Sequence, residues 1–326
     1  MDTAAKNGTV WITILLVIAL IAAMLLLAVA LPSMPHMIRE FRGETAETIP
    51  EETEPSETHP TATTEEPTEE STEETIPEET EPTMPPPEAN PYGVNDFQYD
   101  DDNFLTCLAG DYRIGIDVSR YQFDVDWQQV AGAGVEFAMI RVGYRGYGSG
   151  ALAEDPYAKA NLQGAAAAGL DVGVYFFSQA ISVEEAEEEA RYVLEYIADY
   201  EITMPVVFDW EIPNVENSRS LEVDPRTLTD CALAFCRIVE EAGYEPMVYF
   251  NSVQARKDLY IAELTDYPFW LALYTPRMRF PYKVQMWQYT DSGVIPGIDA
   301  LVDLNIWLEY PEETDTAPAT KRIHTP

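Results

Sequence analysis

The sequence predicts an α/β fold: an irregular eight-stranded β/α (TIM-like) barrel with about five helices, preceded by a transmembrane helix and a disordered linker. Three observations lead there. Between residues 112 and 310, short apolar runs of strand character alternate with capped helical segments. The last strand segments follow one another too closely for crossover helices, so the final third departs from the regular pattern. Before all of this stand a charge-free run of 22 residues and a Thr/Glu/Pro tract.

Residues 1–9 read as a short tail and residues 10–31 as the transmembrane helix or signal anchor. At about 1.5 Å per residue the apolar run matches the roughly 30 Å hydrocarbon core of a bilayer. A cleaved secretory signal usually has a shorter apolar part, about 7–15 residues. A single-pass anchor in the cell membrane is therefore expected, with the folded part outside the cell; Ala28-Val29-Ala30 leaves cleavage and secretion as the alternative. Residues 32–88 are expected to form a disordered linker. Twelve Thr and nine Pro fall between residues 43 and 87, and sixteen Glu with no Lys or Arg between 44 and 88. Such a segment cannot bury enough apolar surface to offset chain entropy, and self-repulsion with proline stiffness keeps it extended.

Residues 89–111 read as a lead-in segment that packs on the barrel through Tyr92, Phe97, Tyr99 and Phe104. The first strand is expected at 112–118, followed by a short helix capped by Asp126 and closed at Gly134. A second strand at 136–142 precedes Asp155-Pro156, read as an N-cap with a first-turn proline, and Gly169 closes that helix. After a third strand at 171–177, Ser182-Val183-Glu184-Glu185 is a capping box opening a helix to about residue 200. A fourth strand at 204–210 leads to Asp224-Pro225, which starts a helix ended by Gly243. Strands at 245–250, 268–273, 283–287 and 300–304, with a helix near 254–264, complete the domain at 112–310, and residues 311–326 read as a disordered tail. The alternation implies a parallel sheet, and eight strands imply closure. An open doubly wound sheet is the alternative, but no phosphate-binding loop follows the first strand. The glycine-rich stretch 143–150 lacks the P-loop Lys-Ser/Thr and reads as a flexible surface loop.

With 19 Lys and Arg against 57 Asp and Glu, the 326-residue chain carries a net charge of −38. It repels nucleic acid, so no such partner is expected. Three cysteines are too few for a disulfide scaffold, and Cys231 and Cys236 lie five apart on one helix, a poor geometry for a bridge. His36, His59 and His324 fall outside the barrel, which argues against histidine catalysis and a His-ligated zinc.

In such a barrel, function collects at the carboxyl ends of the strands. Those positions hold Asp117, Arg141, Tyr175, Asp209, Glu211, Tyr249, Trp287 and Gln288, with Asp303 and Asn305 on the last strand. Four carboxylates thus share one rim. Asp209 and Glu211 are i and i+2 of an extended segment, which puts them on one side about 6.6 Å apart. Two close carboxylates cannot ionise independently: one holds a proton to donate while the other stays charged. That is the apparatus for cleaving a glycosidic bond, and the surrounding aromatics suit sugar faces.

Ordered stretches across residues 114–308 resemble the family 25 glycoside hydrolases, the muramidase-type lysozymes. They are Gly115-Ile116-Asp117-Val118-Ser119, Asp126-Trp127, Phe137-Ala138-Met139-Ile140-Arg141, Val172-Gly173-Val174-Tyr175-Phe176-Phe177 and Pro205-Val206-Val207-Phe208-Asp209-Trp210-Glu211. Trp270-Leu271-Ala272, Trp287-Gln288-Tyr289-Thr290, Gly297-Ile298 and Val302-Asp303-Leu304-Asn305 follow. The resemblance implies a flattened eight-stranded barrel with few helices, acting as a monomeric domain on peptidoglycan glycan strands without metal or cofactor. It implies cleavage of the β-1,4 bond between N-acetylmuramic acid and N-acetylglucosamine. Glu211 matches the proton donor and Asp209 the second catalytic acid, acting either directly or through the substrate's acetamido group. Asp117, Asp303 and Tyr175 match groups lining the site. Many members have His where this chain has Phe176, which by alternation faces away from Tyr175. A chitinase-type motif is disfavoured, because Val207 occupies the preceding alternate position and Met204 stands where a further Asp is needed. A non-catalytic wall-binding module and a chitinase-like hydrolase of N-acetylglucosamine polymers are the alternatives.

Overall fold

The computed structural model describes residues 87–213 and 215–310. The apolar run 10–31, the linker up to residue 86 and the tail 311–326 lie outside the described residues, and with them the expectations placed there. Among the described residues no helix is long and apolar enough to cross a membrane.

The lead-in forms a small antiparallel hairpin, β1 (Phe97–Tyr99) and β2 (Leu105–Cys107). Phe97 and Phe104 are buried as expected, and the Phe97 ring meets Trp287 edge-on at 5.0 Å. Tyr99 is an exposed residue, although its ring touches Tyr289.

β3 (Tyr112–Val118), β4 (Phe137–Arg145), β6 (Asp171–Ser178), β7 (Val206–Trp210), β8 (Pro246–Asn251), β9 (Phe269–Ala272), β10 (Met286–Gly293) and β11 (Val302–Leu308) form a closed barrel. Closure is the parallel pairing of β3 with β4 together with the pairing of β11 with β3. β5 (Leu152–Glu154) is added to the outer end of β4. The expectation of a wholly parallel sheet is corrected at the last strand. β11 runs antiparallel to both β10 and β3. The link from Gly293 to Val302 is too short to carry the chain back to the other end of the barrel, so it reverses instead. The last two strands also lie later than expected, at 286–293 and 302–308.

The helices are α1 (Trp127–Gly132), α2 (Ala158–Ala167), α3 (Val183–Ile197), α4 (Pro225–Glu241) and α5 (Gln254–Lys257). Asp126, Ser182 and Asp224 cap α1, α3 and α4 through side-chain bonds to backbone N–H groups. Gly169 and Gly243 follow α2 and α4 with φ of 83° and 87°, the left-handed conformation that ends a helix. The helix expected over 254–264 breaks into α5 and a 3-10 turn at Ile261–Glu263.

Two apolar clusters result from strand alternation. Phe137, Met139, Val207, Met247, Trp270, Met286 and Trp307 fill the barrel interior below the rim. Gly115 is the small residue this filling requires, since a Cβ there would lie 2.2 Å from the Phe137 ring. The outward residues of the strands pack under the helices and the lead-in hairpin, as where Phe208 meets Phe235 at 5.3 Å. Phe176 belongs to this outer layer, against Tyr192 of α3. Cys107, Cys231 and Cys236 are buried free thiols, and burial pushes Cys231 up to about 12.

The stretch 143–150 is strand through Arg145 and hairpin turn after it. β4 continues through Arg145 and turns back into β5 as a hairpin. Arg145 clamps it: the guanidinium donates to Glu189 at 2.7 Å, Glu188 at 2.8 Å, the Glu185 carbonyl at 3.0 Å and the Gly150 carbonyl at 2.6 Å.

Candidate active site

Asp117 stands near the end of β3 and lies opposite Asp303 in the register with β11. The reversal of β11 is what brings Asp303, at its start, to the rim where the parallel strands end. Asp117 is buried, and one carboxylate oxygen accepts two side-chain amides, Gln288 Nε2 and Asn305 Nδ2, each at 2.8 Å. Asn305 is held in turn by the Trp270 indole N–H, which donates to its Oδ1 at 2.8 Å. Gln288 Oε1 accepts the Tyr249 hydroxyl at 3.3 Å and the Tyr274 hydroxyl at 3.0 Å. A connected polar network therefore caps the apolar barrel interior. Each member is fixed by a partner on another strand.

Asp209, the penultimate residue of β7, is only 4% exposed, and its Oδ1 has no hydrogen-bond partner. Burial pushes its carboxyl well above the usual range, and the neighbouring charges of Glu211, Asp117 and Asp303 add to this; Arg141 opposes it. Glu211 lies just past the strand end and is half-buried. The two acids therefore sit in unlike surroundings: one enclosed, the other on the wall of a cleft of about 410 Å³ shared with Tyr249, Asn251 and Tyr274.

Arg141 reaches the same rim from β4. Its Nε donates to Asp155 at 2.8 Å, and its guanidinium lies over the rings of Tyr121 and Tyr144 at 5.4 and 5.5 Å. This corrects the reading of Asp155 as a helix cap. α2 starts after Tyr157, which makes no side-chain cap, and the fully buried Asp155 binds Arg141 and the Arg120 and Tyr157 N–H groups. Tyr175 faces Arg141 across the β4–β6 register and meets Trp270 edge-on at 6.0 Å. Burial and Asp117 hold its phenol well above the ordinary value, so it remains a neutral donor.

Nine of the ten residues singled out by sequence thus gather at this rim. Trp287 does not. It is fully buried outside the barrel wall, against Phe97, with its indole N–H on the Leu273 carbonyl at 2.9 Å. Neighbouring Gln288 points inward, so Trp287 must point outward. Trp270 and Tyr274 join the site as the partners of Asn305 and Gln288. Gln179 and Gln254, which bond the backbone of Glu211 and Trp210, gave no sequence signal. Among the described residues no group of three or more His, Cys, Asp or Glu side chains is arranged to hold a metal ion.

The model of the glycosyl hydrolases family 25 matches residues 116–298, more than half of the chain. The chain belongs to that family. It is thereby a glycoside hydrolase, and Asp117, Asp209 and Glu211 lie within the matched span while Asp303 lies just beyond it. The YegX protein of Escherichia coli K12, itself uncharacterised, is 30% identical over 221 residues, covering 65% of this chain and 75% of that one. Among solved structures, the modular autolysin LytC of Streptococcus pneumoniae superposes with a TM-score of 0.56 at 23% identity, over 65% of this chain. This chain spans 50% of the autolysin's length. A family 25 glycosyl hydrolase of Bacillus anthracis gives a TM-score of 0.50 at 23% identity, over 62% of this chain and 91% of that one. At these identities the two structures establish the shared fold.

Proposed function

We propose that this family 25 enzyme is a peptidoglycan hydrolase, an N-acetylmuramidase cleaving the β-1,4 bond between N-acetylmuramic acid and N-acetylglucosamine. The observation that carries the reading is the unequal acid pair, Asp209 enclosed and Glu211 on the cleft wall. Relatives supply the substrate: the pneumococcal autolysin was solved with a synthetic peptidoglycan ligand, and a spore cortex lytic enzyme of Clostridium perfringens has the same fold with a TM-score of 0.51. A module that only binds walls has no use for a buried acid with a vacant oxygen, which costs stability.

In this reading the sugar that keeps the new reducing end lies over Asp117, Asp303, Asn305 and Gln288, with Tyr175 and Tyr249 beneath it. Glu211 gives its proton to the glycosidic oxygen as the C1–O bond breaks. Asp209, enclosed at the strand end, is not the nucleophile in this reading. Its carboxyl instead accepts the N–H of the substrate's acetamido group and aims the acetamido oxygen at C1. The oxygen–C1 bond forms as the leaving sugar departs. Glu211, now a carboxylate, takes a proton from the water that opens this ring, and the configuration at C1 is retained. Arg141 balances the acids without neutralising them, because Asp155 already shares its charge. Replacing Glu211 by Gln should end the release of reducing sugars from purified cell walls with the melting temperature unaltered. Undiminished release would remove Glu211 from the chemistry.

We also place the enzyme outside the cell membrane, anchored by residues 10–31 and reaching the wall through the acidic tract to residue 88. The full chain should then stay in the membrane pellet after alkaline extraction. Recovery in the supernatant would contradict an anchor.

A further inference from the structure

Beyond its last strand pairings, Ser178 with Trp210 on one side and Tyr249 with Asp209 on the other, the end of β7 is held by two side-chain amides. The last register pair between β7 and β8 is Asp209 with Tyr249. One step further on, Gln254 fills the gap: its Oε1 accepts the Asn251 N–H at 3.0 Å and its Nε2 donates to the Trp210 carbonyl at 2.7 Å. On the opposite side, Gln179 Nε2 donates to the Ser178 carbonyl and to the Glu211 carbonyl, each at 2.8 Å. Its Oε1 accepts the Ser220 hydroxyl, and Ser220 Oγ lies 3.0 Å from Ser218 Oγ. Gln179, Gln254 and Ser220 are buried, at 0%, 2% and 0% exposure. Strands that splay at a barrel mouth leave carbonyls unpaired, and here each is met by an amide wedged between elements.

We infer that Gln179 and Gln254 are positioning residues that fix the Trp210–Glu211 backbone, and through it the aim of the Glu211 carboxyl at the scissile oxygen. The inference rests on the proposed role of Glu211. Each amide acts through a backbone carbonyl. Both carbonyls lie within one residue of the proton donor, so freeing either lets the donor drift. A misplacement of about 1 Å is enough to cost up to 100-fold in rate.

The test uses the full chain, with Gln179→Leu, Gln179→Glu and Gln254→Leu assayed on purified peptidoglycan beside Glu211→Gln. Both Leu variants should lower kcat roughly ten-fold or more with KM within about two-fold. Gln179→Glu carries a diagnostic that loss of packing cannot produce. A carboxylate cannot donate to the Glu211 carbonyl, whereas the protonated acid can. The ratio of Gln179→Glu activity to wild-type activity should therefore rise as pH falls. Wild-type kcat in both Leu variants overturns the inference, as does a loss that follows a lowered melting temperature with a pH-independent Gln179→Glu ratio. If Glu211→Gln is inactive while the Leu variants are unaffected, the positioning role alone fails; if Glu211→Gln retains activity, the reading of the site fails first.

Discussion

Glu189 gives a prediction whose magnitude follows from the structure. It projects from α3 into the wall behind the active site, fully buried, with one oxygen on Arg145 Nε at 2.7 Å and the other without a partner. Burial raises its carboxyl from 4.5 to about 7 despite the guanidinium beside it. A raised acid binds its proton more tightly in the folded protein than in the unfolded chain. Its ionisation therefore costs nothing below about pH 4.5, and stability is lost as pH rises toward 7. A shift of this size corresponds to roughly 3 kcal/mol. Glu189→Gln removes the titration and leaves Arg145 its bond to Glu188, so the guanidinium is not orphaned. Urea unfolding of both proteins at pH 4.5 and 7.5 isolates the group, because all other ionisations cancel in the difference. The variant should gain about 3 kcal/mol relative to the parent between those two pH values. A difference that stays constant across the range, or moves the other way, refutes the reasoning.

Two further predictions concern the rim. Asp117→Ala strands two buried amide donors, Gln288 Nε2 and Asn305 Nδ2, and should cost roughly 2–5 kcal/mol in urea unfolding; a loss below about 1 kcal/mol would mean that the network does not hold the rim. Asp209→Asn should lower turnover by about 100-fold or more without azide rescue, since the substrate's acetamido group is the nucleophile; formation of a glycosyl azide by this variant would assign direct attack to Asp209.

Much of the scaffold was legible because its signals are local. Ser182, Asp224-Pro225, Gly169 and Gly243 mark helix ends through bonds or dihedrals confined to a few residues, and all four stand where expected. Asp155-Pro156 carried the same local signature and misled, because its partners Arg141 and Arg120 lie on other elements. The reversal of β11 was implied by the short link before it, but strand alternation carries no direction. The position of Trp287 follows from parity once Gln288 is assigned inward. The acid pair was legible as a spacing, yet the spacing did not say which acid is buried. That depends on where β7 stops relative to β6 and β8, and on two glutamines that bond the backbone of Trp210 and Glu211.

The most direct measurement is mass spectrometry of the soluble fragments released from a peptidoglycan of defined structure. N-acetylmuramic acid at every new reducing end is the expected result, and its absence from digests by Glu211→Gln completes it. Reducing-end N-acetylglucosamine, or fragments cut only within the peptides, would contradict a muramidase.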